Sequence, residues 1–223
     1  MMQLTITTAG RTVTIACGAL LLDMDGTLVD SQTCVERKWR DWCRRHGVDV
    51  DELLRVSHGL QLADTVRLMA PHLDLAAEVA DLVRREEQDT DGLRPVAGAA
   101  RLLAALPPRR WAVVTSAWRR LAEIRLRHLG LPVPRVLVTA DDTAHGKPAP
   151  DGYLMAAARL GCPPADCVVV EDSPAGIESG RAAGMRVIAV ATTFAIEALE
   201  ALKADWAVDD LTGVTVREPV AAG

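Results

Sequence analysis

Two patterns of apolar residues alternate along the 223-residue chain and indicate its secondary structure. Beyond Gly18, short continuous apolar runs are separated by stretches whose apolar residues recur at helical spacing. Continuous runs of this length are typical of strands covered on both faces, as in a parallel sheet between layers of helices. The sequence therefore predicts an α/β fold with a doubly wound parallel sheet and a Rossmann-like core. The runs are ALLLD (19–23), WAVVT (111–115), RVLVT (135–139), CVVVE (167–171) and RVIAV (186–190).

The segment between the first and second runs is much longer than a plain connection between neighbouring parallel strands, and its periodicity is helical. We therefore expect a helical cap domain at residues 31–93, inserted into a discontinuous α/β core of residues 18–30 and 94–217. Residues 1–17 form an N-terminal extension. Their apolar residues alternate with Thr on both sides of one Ala-Gly pair, a pattern that predicts a β-hairpin.

The composition is that of an ordinary globular protein, with 49% hydrophobic and 25% charged residues. The net charge of -5 argues against nucleic-acid and membrane partners, which are held mainly by clustered Lys and Arg. Five cysteines without a C-x-x-C pair indicate neither a disulfide framework nor a zinc site. The chain begins without signal-peptide features, and no apolar stretch is long enough to span a membrane. We expect a cytoplasmic, monomeric protein whose partner is a small molecule.

Acidic residues end the first apolar run. Ligands of open parallel sheets bind at the carboxyl ends of the strands, so these residues are candidates for a site. Asp23 and Asp25 come just before Gly26, which lets the chain turn and the two carboxylates converge. Converging carboxylates need a cation, and an all-oxygen ligand set favours Mg²⁺ over zinc. In isolation D-x-D-G also fits a calcium loop or a solvated turn, but its position after a strand and the missing calcium ligands disfavour the calcium loop.

A second acidic pair ends the fourth run. Glu171 and Asp172 are followed by Ser173-Pro174, a favourable start for a helix. Asp172 could complete the metal site from across the sheet. Taken alone, the two acids could equally stabilise the positive N-terminal end of that helix.

Hydroxyl and ammonium groups follow the second and third runs. Thr115 and Ser116 stand where a strand-end hydroxyl and nearby N–H groups can hold phosphate oxygens. Lys147 lies between Gly146 and Pro148 in a turn-rich loop, and a phosphate beside several carboxylates requires such a fixed cation. Each signal is weak alone, because the hydroxyls also fit an ST turn and most lysines are solvated.

The four motifs together resemble the haloacid dehalogenase superfamily. They are D-x-D-G-T at 23–27, T-S at 115–116, G-K-P at 146–148 and E-D at 171–172, in that order and spacing. The resemblance covers nearly all of residues 18–213 and is strongest to bacterial sugar phosphatases with a small helical cap, in stretches such as CVVVEDSPAGIESGRAAGMRVIAV. It implies a Mg²⁺-dependent phosphatase that hydrolyses sugar or polyol phosphates through an aspartyl-phosphate intermediate.

The resemblance also implies roles for the acidic residues. Asp23 would be the nucleophile that becomes phosphorylated. Asp25 would protonate the leaving oxygen and then activate the hydrolytic water. Mg²⁺ would be held by Asp23, Asp172 and the backbone oxygen of Asp25, with Glu171 bound to the metal directly or through water.

Substrate contacts are implied on both sides of the site. Thr115, Ser116 and Lys147 would bind the phosphoryl oxygens, and Thr115 and Lys147 would also act in catalysis. The loop SHGLQ corresponds to the specificity loop of these phosphatases, where His58 and Gln61 could contact sugar hydroxyls. A His before Gly is also common at helix ends, which leaves the role of His58 open.

The first helical pattern of the cap carries both charged and aromatic residues. Arg37, Lys38 and Arg44 are expected on its solvated face, and Trp39 and Trp42 are expected to pack inside the cap. A cap of this kind would exclude water when closed and release product when open.

Two alternative functions stay open on the sequence. A phosphomutase of the same fold could return the phosphoryl group from Asp23 to a sugar, although the run TLVDS differs from the one that follows the acid pair in such mutases. A catalytically silent protein could bind a sugar phosphate as a signal, but every acid and base needed for turnover is present. Dehalogenases of the superfamily lack the second Asp, so Asp25 disfavours that branch.

Overall fold

The computed structural model describes residues 1–8 and 10–217, and a six-stranded parallel sheet forms the centre of this part of the chain. Its order is β10-β9-β8-β3-β6-β7, with strand bounds as follows. The strands are β1 (Met2–Thr8), β2 (Arg11–Cys17), β3 (Ala19–Leu22), β4 (Val29–Asp30), β5 (Arg94–Pro95), β6 (Trp111–Val114), β7 (Leu137–Val138), β8 (Cys167–Glu171), β9 (Arg186–Val190), β10 (Trp206–Val208) and β11 (Val214–Arg217).

The apolar runs of the sequence account for most of this sheet. Strands β3, β6, β8 and β9 coincide with four of the runs, and β7 occupies only the middle of the run at 135–139. The edge strand β10 was not expected from the sequence. It has three residues and begins with a half-buried Trp206, so it offers no continuous apolar run to recognise.

Helices cover both faces of the sheet. Leu20 and Leu22 of β3 face one apolar core and Ala19 and Leu21 face the other, so the strand is buried on both sides. The predicted doubly wound parallel sheet is therefore confirmed. No helix in the described residues is long and apolar enough to cross a membrane. The helices are α1 (Gln32–His46), α2 (Val50–Ser57), α3 (Leu62–Met69), α4 (Leu75–Glu86), α5 (Ala99–Ala105), α6 (Arg119–His128), α7 (Asp151–Leu160), α8 (Pro174–Ala182) and α9 (Ile196–Ala201).

A small antiparallel sheet packs against the face that carries α5 and α6. Strand β1 pairs with β2 from Met2 opposite Cys17 to Thr8 opposite Arg11, and its other edge pairs with β11 near the end of the described chain. Alternate side chains of β1, such as those of Leu4 and Ile6, are fully buried in the same core as Leu20. The N-terminal strands thus belong to the packed body that supports the central sheet.

Helices α1–α4, which we call the helical insertion, lie between the short antiparallel strands β4 and β5. The insertion has its own apolar core, in which Trp39 and Trp42 are buried as expected. Arg37 and Arg44 are exposed. The expectation for Lys38 was wrong, because its side chain is only 11% exposed and its Nζ lies 2.9 Å from Glu86 Oε1 at the end of α4.

Candidate active site

Three buried acids meet where β3 and β8 end. These two strands are neighbours, with Leu22 opposite Val170, so Asp23 and the pair Glu171–Asp172 leave the sheet side by side. Carboxylate oxygens of Asp23, Glu171 and Asp172 lie within 4.8 Å of one another. All three side chains are buried. The parallel topology brings together acids that are far apart in the chain, which is the arrangement expected from the sequence.

Lys147 brings a positive charge to these acids. Its Nζ lies 2.5 Å from Asp23 Oδ1 and 2.5 Å from Glu171 Oε1, and it also donates to the Val114 carbonyl at 3.2 Å. Burial alone would lower the pKa of Lys147, but the adjacent carboxylates of Asp23 and Glu171 outweigh burial and raise the pKa. The side chain is therefore a fixed ammonium cation.

The acids carry more negative charge than Lys147 neutralises. Burial, assisted by the neighbouring carboxylate of Glu171, raises the pKa of Asp172 to about 7. Burial likewise raises the pKa of Asp23, with Lys147 opposing the change. A further cation would relieve this repulsion, and the donor set consists of carboxylate oxygens, which suit a hard ion such as Mg²⁺. The acidic group is therefore able to hold a metal ion.

Several hydroxyl groups to which the sequence analysis gave no role orient the acids. Thr27 Oγ1 donates to Asp172 Oδ1 at 3.2 Å, and Thr193 Oγ1 donates to Asp172 Oδ2. Tyr153 OH donates to Glu171 Oε1 at 3.0 Å. Thr27 and Thr193 lie in the loops that follow β3 and β9. Their positions could have been recognised by the rule that identified Asp23, which is that ligands bind at the carboxyl ends of parallel strands. Tyr153 lies inside helix α7 and offers no comparable signal.

Glu171 has most of its hydrogen-bonding capacity occupied by the protein. Its Oε1 accepts from Lys147 and Tyr153. Its Oε2 accepts from the backbone N–H of Asp172 at 3.0 Å, and from the N–H and hydroxyl of Ser173 at 3.1 and 3.0 Å. Asp23 and Asp172 are thus better placed than Glu171 to offer free oxygens to an ion.

Gly26 allows the loop that follows β3 to lie close to the side chain of Asp172. Its φ of +86° lies in the left-handed region that favours glycine, and an added Cβ would come within 2.0 Å of Asp172 Oδ2. The backbone at this turn therefore approaches the acidic group more closely than any residue with a side chain would permit.

Asp25 points to a different set of partners. Its Oδ1 accepts from Arg125 Nη1 at 2.6 Å, and its side chain is 26% exposed at the wall of a cavity of about 360 Å³. Asp23, Thr115 and Ser116 line the same cavity. Its size suits a small ligand. Sequence reasoning did not single out Arg125, because it lies on a charged helix without a recognisable motif.

The two hydroxyl residues after β6 both reach the cavity. Thr115 is buried, and its Oγ1 accepts from the N–H of Ala117 at 3.1 Å, which is the ST turn that the sequence left open. This contact leaves the hydroxyl proton of Thr115 free to be donated. Ser116 Oγ donates to the Gly59 carbonyl at 2.7 Å and so joins the core to the helical insertion.

The two residues expected to contact sugar are separated by the structure. His58 lines the cavity, where its ring contacts Phe194 edge-on and burial lowers its pKa. Gln61 instead packs on the loop that carries Lys147. Its Nε2 lies 3.4 Å from Thr143 Oγ1, and it is absent from the cavity lining.

The fold and the acidic group define a class of hydrolase built on a parallel α/β sheet. The model of the haloacid dehalogenase-like hydrolase family matches residues 17–184, which is more than half of the chain. The chain belongs to this family. The resemblance drawn from its four motifs is confirmed.

Similar proteins narrow the class further. The chain is 47% identical to hexitol phosphatase A of Escherichia coli over 182 residues, covering 78% of this chain and 83% of that protein. It is 35% identical to glycerol-1-phosphate phosphohydrolase 2 of Saccharomyces cerevisiae over 208 residues, covering 85% and 81%. A solved hydrolase from Pseudomonas syringae shares the fold, with a TM-score of 0.78, 24% identity and coverage of 87% and 94%. The chain is a phosphoric monoester hydrolase.

Proposed function

We propose that this protein is a Mg²⁺-dependent phosphatase that hydrolyses sugar or polyol phosphates through an aspartyl-phosphate on Asp23. One observation carries the proposal: Asp23 lies at the end of β3 beside both a fixed ammonium and two further buried acids. The similar proteins named for hexitol and glycerol-1-phosphate support a substrate with several hydroxyl groups.

The proposed metal site uses oxygens that the protein leaves available. Asp23, Asp172 and the backbone oxygen of Asp25 would hold Mg²⁺. Once bound, the ion would neutralise phosphoryl charge and orient the phosphoryl group. The donors that already occupy Glu171 support a contact through water rather than direct ligation. This would make Glu171 a support for Lys147 and for the end of β8.

Asp23 is the proposed nucleophile. One of its oxygens would form a bond to phosphorus while the bond from phosphorus to the sugar oxygen breaks, which divides a difficult displacement into two steps. Lys147 would reduce the repulsion between Asp23 and the anionic substrate, because its ammonium group touches the attacking carboxylate. Thr115 would donate its free hydroxyl proton to a phosphoryl oxygen from the cavity wall, and Ser116 would donate when its hydroxyl turns from the Gly59 carbonyl to the substrate.

Asp25 is the proposed acid and base. It would give a proton to the leaving sugar oxygen and later take a proton from the water that attacks the aspartyl-phosphate. Its partial exposure at the cavity wall supports this assignment, because the carboxylate must reach the leaving oxygen and then water.

We also propose that residues 31–93 form a cap domain over a core of residues 18–30 and 94–217. The bond from Ser116 to the Gly59 carbonyl and the cavity shared by both parts support a closed cap that excludes water. His58 would contact substrate hydroxyls from the cap. A substrate contact by Gln61 stays a prediction, since its present neighbours are Thr143 and the Lys147 loop.

The cytoplasmic location, the monomeric state and the lack of nucleic-acid or membrane partners also stay predictions from the sequence. Cell fractionation would check the location. Light scattering of the purified protein at several concentrations would check the monomeric state.

The proposed function is tested by measuring phosphate released from a panel of hexose, hexitol and glycerol phosphates, with and without a chelator. We expect release that requires a divalent cation and is best restored by Mg²⁺. Isomerisation without free phosphate would favour a mutase instead. Tight binding of a sugar phosphate without any release would favour a silent regulator.

A further inference from the structure

A second buried cluster of charges borders the cavity, apart from the three acids. It consists of Asp25, Arg125, Glu86 and Lys38, and we call it the Arg125 cluster. Arg125 donates to Asp25 at 2.6 Å and its Nη2 lies 3.5 Å from Glu86 Oε1, which also accepts from Lys38 at 2.9 Å. All four residues line the same cavity as Asp23.

The cluster joins two parts of the fold. Asp25 follows strand β3 and Arg125 lies in helix α6, both in the body that carries the central sheet. Glu86 ends helix α4 and Lys38 lies in α1, both in the helical insertion. The charges therefore form a chain of contacts from the insertion to Asp25.

Arg125 is buried more deeply than its partners. Its side chain is 3% exposed, compared with 8% for Glu86 and 26% for Asp25. Removing a guanidinium from water is unfavourable unless carboxylates surround it. The Nε of Arg125 has no hydrogen-bond partner in the described part of the chain, so its surroundings do not satisfy every donor of the guanidinium. The planar guanidinium instead holds two carboxylates in fixed directions.

We propose that Arg125 is a positioning residue that holds the Asp25 carboxyl group where it can protonate the leaving oxygen, and that Glu86 and Lys38 link this position to the helical insertion. The inference rests on the proposed function. Arg125 contacts Asp25 directly, so we expect its effect on the reaction to pass through proton transfer by that carboxyl group. When the helical insertion lies against the core as it does here, Glu86 orients the Arg125 side chain, and Arg125 in turn orients the carboxyl group of Asp25.

The inference makes a prediction about leaving groups. As the bond between phosphorus and the leaving oxygen breaks, the electron pair stays on that oxygen, which takes the proton from Asp25. A polyol alkoxide is a poor leaving group and needs this proton. A p-nitrophenolate leaves as a stable anion and needs it far less. Misplacing Asp25 should therefore slow formation of the aspartyl-phosphate from polyol phosphates much more than from p-nitrophenyl phosphate.

The test compares Arg125→Met with wild type on p-nitrophenyl phosphate and on the most active polyol phosphate of the panel. We expect kcat/KM for the polyol phosphate, which reports formation of the aspartyl-phosphate, to fall about 30-fold, a part of the roughly 10²–10⁴-fold that general acid catalysis contributes. We expect kcat/KM for p-nitrophenyl phosphate to change less than about threefold. kcat alone does not separate the two substrates, because Asp25 also serves the common step in which water attacks the aspartyl-phosphate. Arg125→Lys should restore part of the polyol activity, because its ammonium can still bind Asp25.

Arg127→Met is the matched control. It removes a guanidinium from the same helix, but Arg127 is 69% exposed and pairs only with Glu123 in the described residues. Both substrates should be turned over at the wild-type rate. Glu86→Gln should shift the ratio of the two activities in the same direction as Arg125→Met, by a smaller amount.

An equal loss of kcat/KM on both substrates, which leaves their ratio unchanged, would overturn the inference. Each ratio is measured in one preparation, so a partly unfolded sample lowers both activities and leaves the ratio intact. If Arg125→Met does not fold, Arg125→Lys is judged by the same ratio. In an Asp25→Asn background, adding Arg125→Met should cause no further loss on the polyol phosphate, and an additional loss would contradict the inference. A wild-type protein that releases no phosphate from any ester would instead refute the proposed function.

Discussion

Two buried clusters of charge lie within one cavity region, and they differ in balance. The three-acid site sets Asp23, Glu171 and Asp172 against the single ammonium of Lys147. The Arg125 cluster sets Asp25 and Glu86 against the cations of Arg125 and Lys38. A buried cluster with excess negative charge is incomplete without a cation, whereas a balanced cluster is satisfied by the protein itself. The difference indicates that a metal ion could bind at the three acids, whereas the charges of the Arg125 cluster pair with one another.

The largest expected effect is the loss of activity on substitution of Asp23 in the three-acid site. Asp23→Asn replaces the proposed nucleophilic carboxylate with an uncharged amide and should lower phosphate release by on the order of 10⁴-fold or more. The measurement is kcat on the best substrate of the panel. Asp51→Asn, at an exposed position in helix α2, is the control and should keep wild-type activity. Activity retained by Asp23→Asn would show that the three-acid site is not the place of bond breaking.

A glycine substitution tests how tightly the three-acid site is built. Gly26→Ala places a Cβ within 2.0 Å of Asp172 Oδ2 and should lower kcat about 100-fold by displacing that carboxylate. Gly47→Ala is matched to it, because Gly47 also has a positive φ, of +66°, but no atom lies within 4 Å of the added Cβ. It should lower the free energy of unfolding by about 1 kcal/mol without loss of activity. Similar activity in the two variants would contradict a close-packed site.

The excess negative charge also predicts a pH dependence. In the metal-free protein the pKa of Asp172 is raised from 3.8 to about 7, so between these values the folded state binds a proton that the unfolded state has lost. The contribution of Asp172 to stability therefore falls as pH rises through that range. Mg²⁺ must displace this proton, so it should bind more weakly below pH 7.

Thermal unfolding with and without Mg²⁺ measures this effect. At pH 8, Mg²⁺ at 100 times its Kd should raise Tm by about 5–10 °C. The same Mg²⁺ concentration should raise Tm by less at pH 5.5, because the ion binds more weakly there. Glu86→Gln should leave the Mg²⁺-dependent rise intact, because the Arg125 cluster is not expected to bind the ion. A rise that is equal at both pH values would contradict the assignment of the metal to Asp172.

The smallest expected effect concerns the balance of the second cluster. Glu86→Gln leaves Arg125 and Lys38 without a shared carboxylate and should lower the free energy of unfolding by about 1–3 kcal/mol. Glu123→Gln breaks an ion pair with the exposed Arg127 and should change it by less than about 0.5 kcal/mol. Denaturant unfolding of the two variants measures the difference. Equal values would mean that burial of the cluster has no energetic consequence.

The sequence by itself determined the central sheet, apart from its edge strand β10, and the three acids that meet at its edge. Its strands are continuous apolar runs, a local property, and parallel pairing places their carboxyl ends at one edge. Asp23, Glu171 and Asp172 each follow such a run, and Lys147 belongs to a motif, so their meeting could be anticipated.

Only the tertiary structure decided the Arg125 cluster and the setting of the insertion. Arg125 lies in RRLAEIRLRH, and Lys38 in a helix rich in charge, so both look like solvated residues when read locally. Arg125 is paired with Asp25 and Glu86, and Lys38 with Glu86, and these partners are far away in the chain. The burial and pairing of a charged side chain depend on which distant elements pack around it, and the sequence near that residue does not show which elements these are.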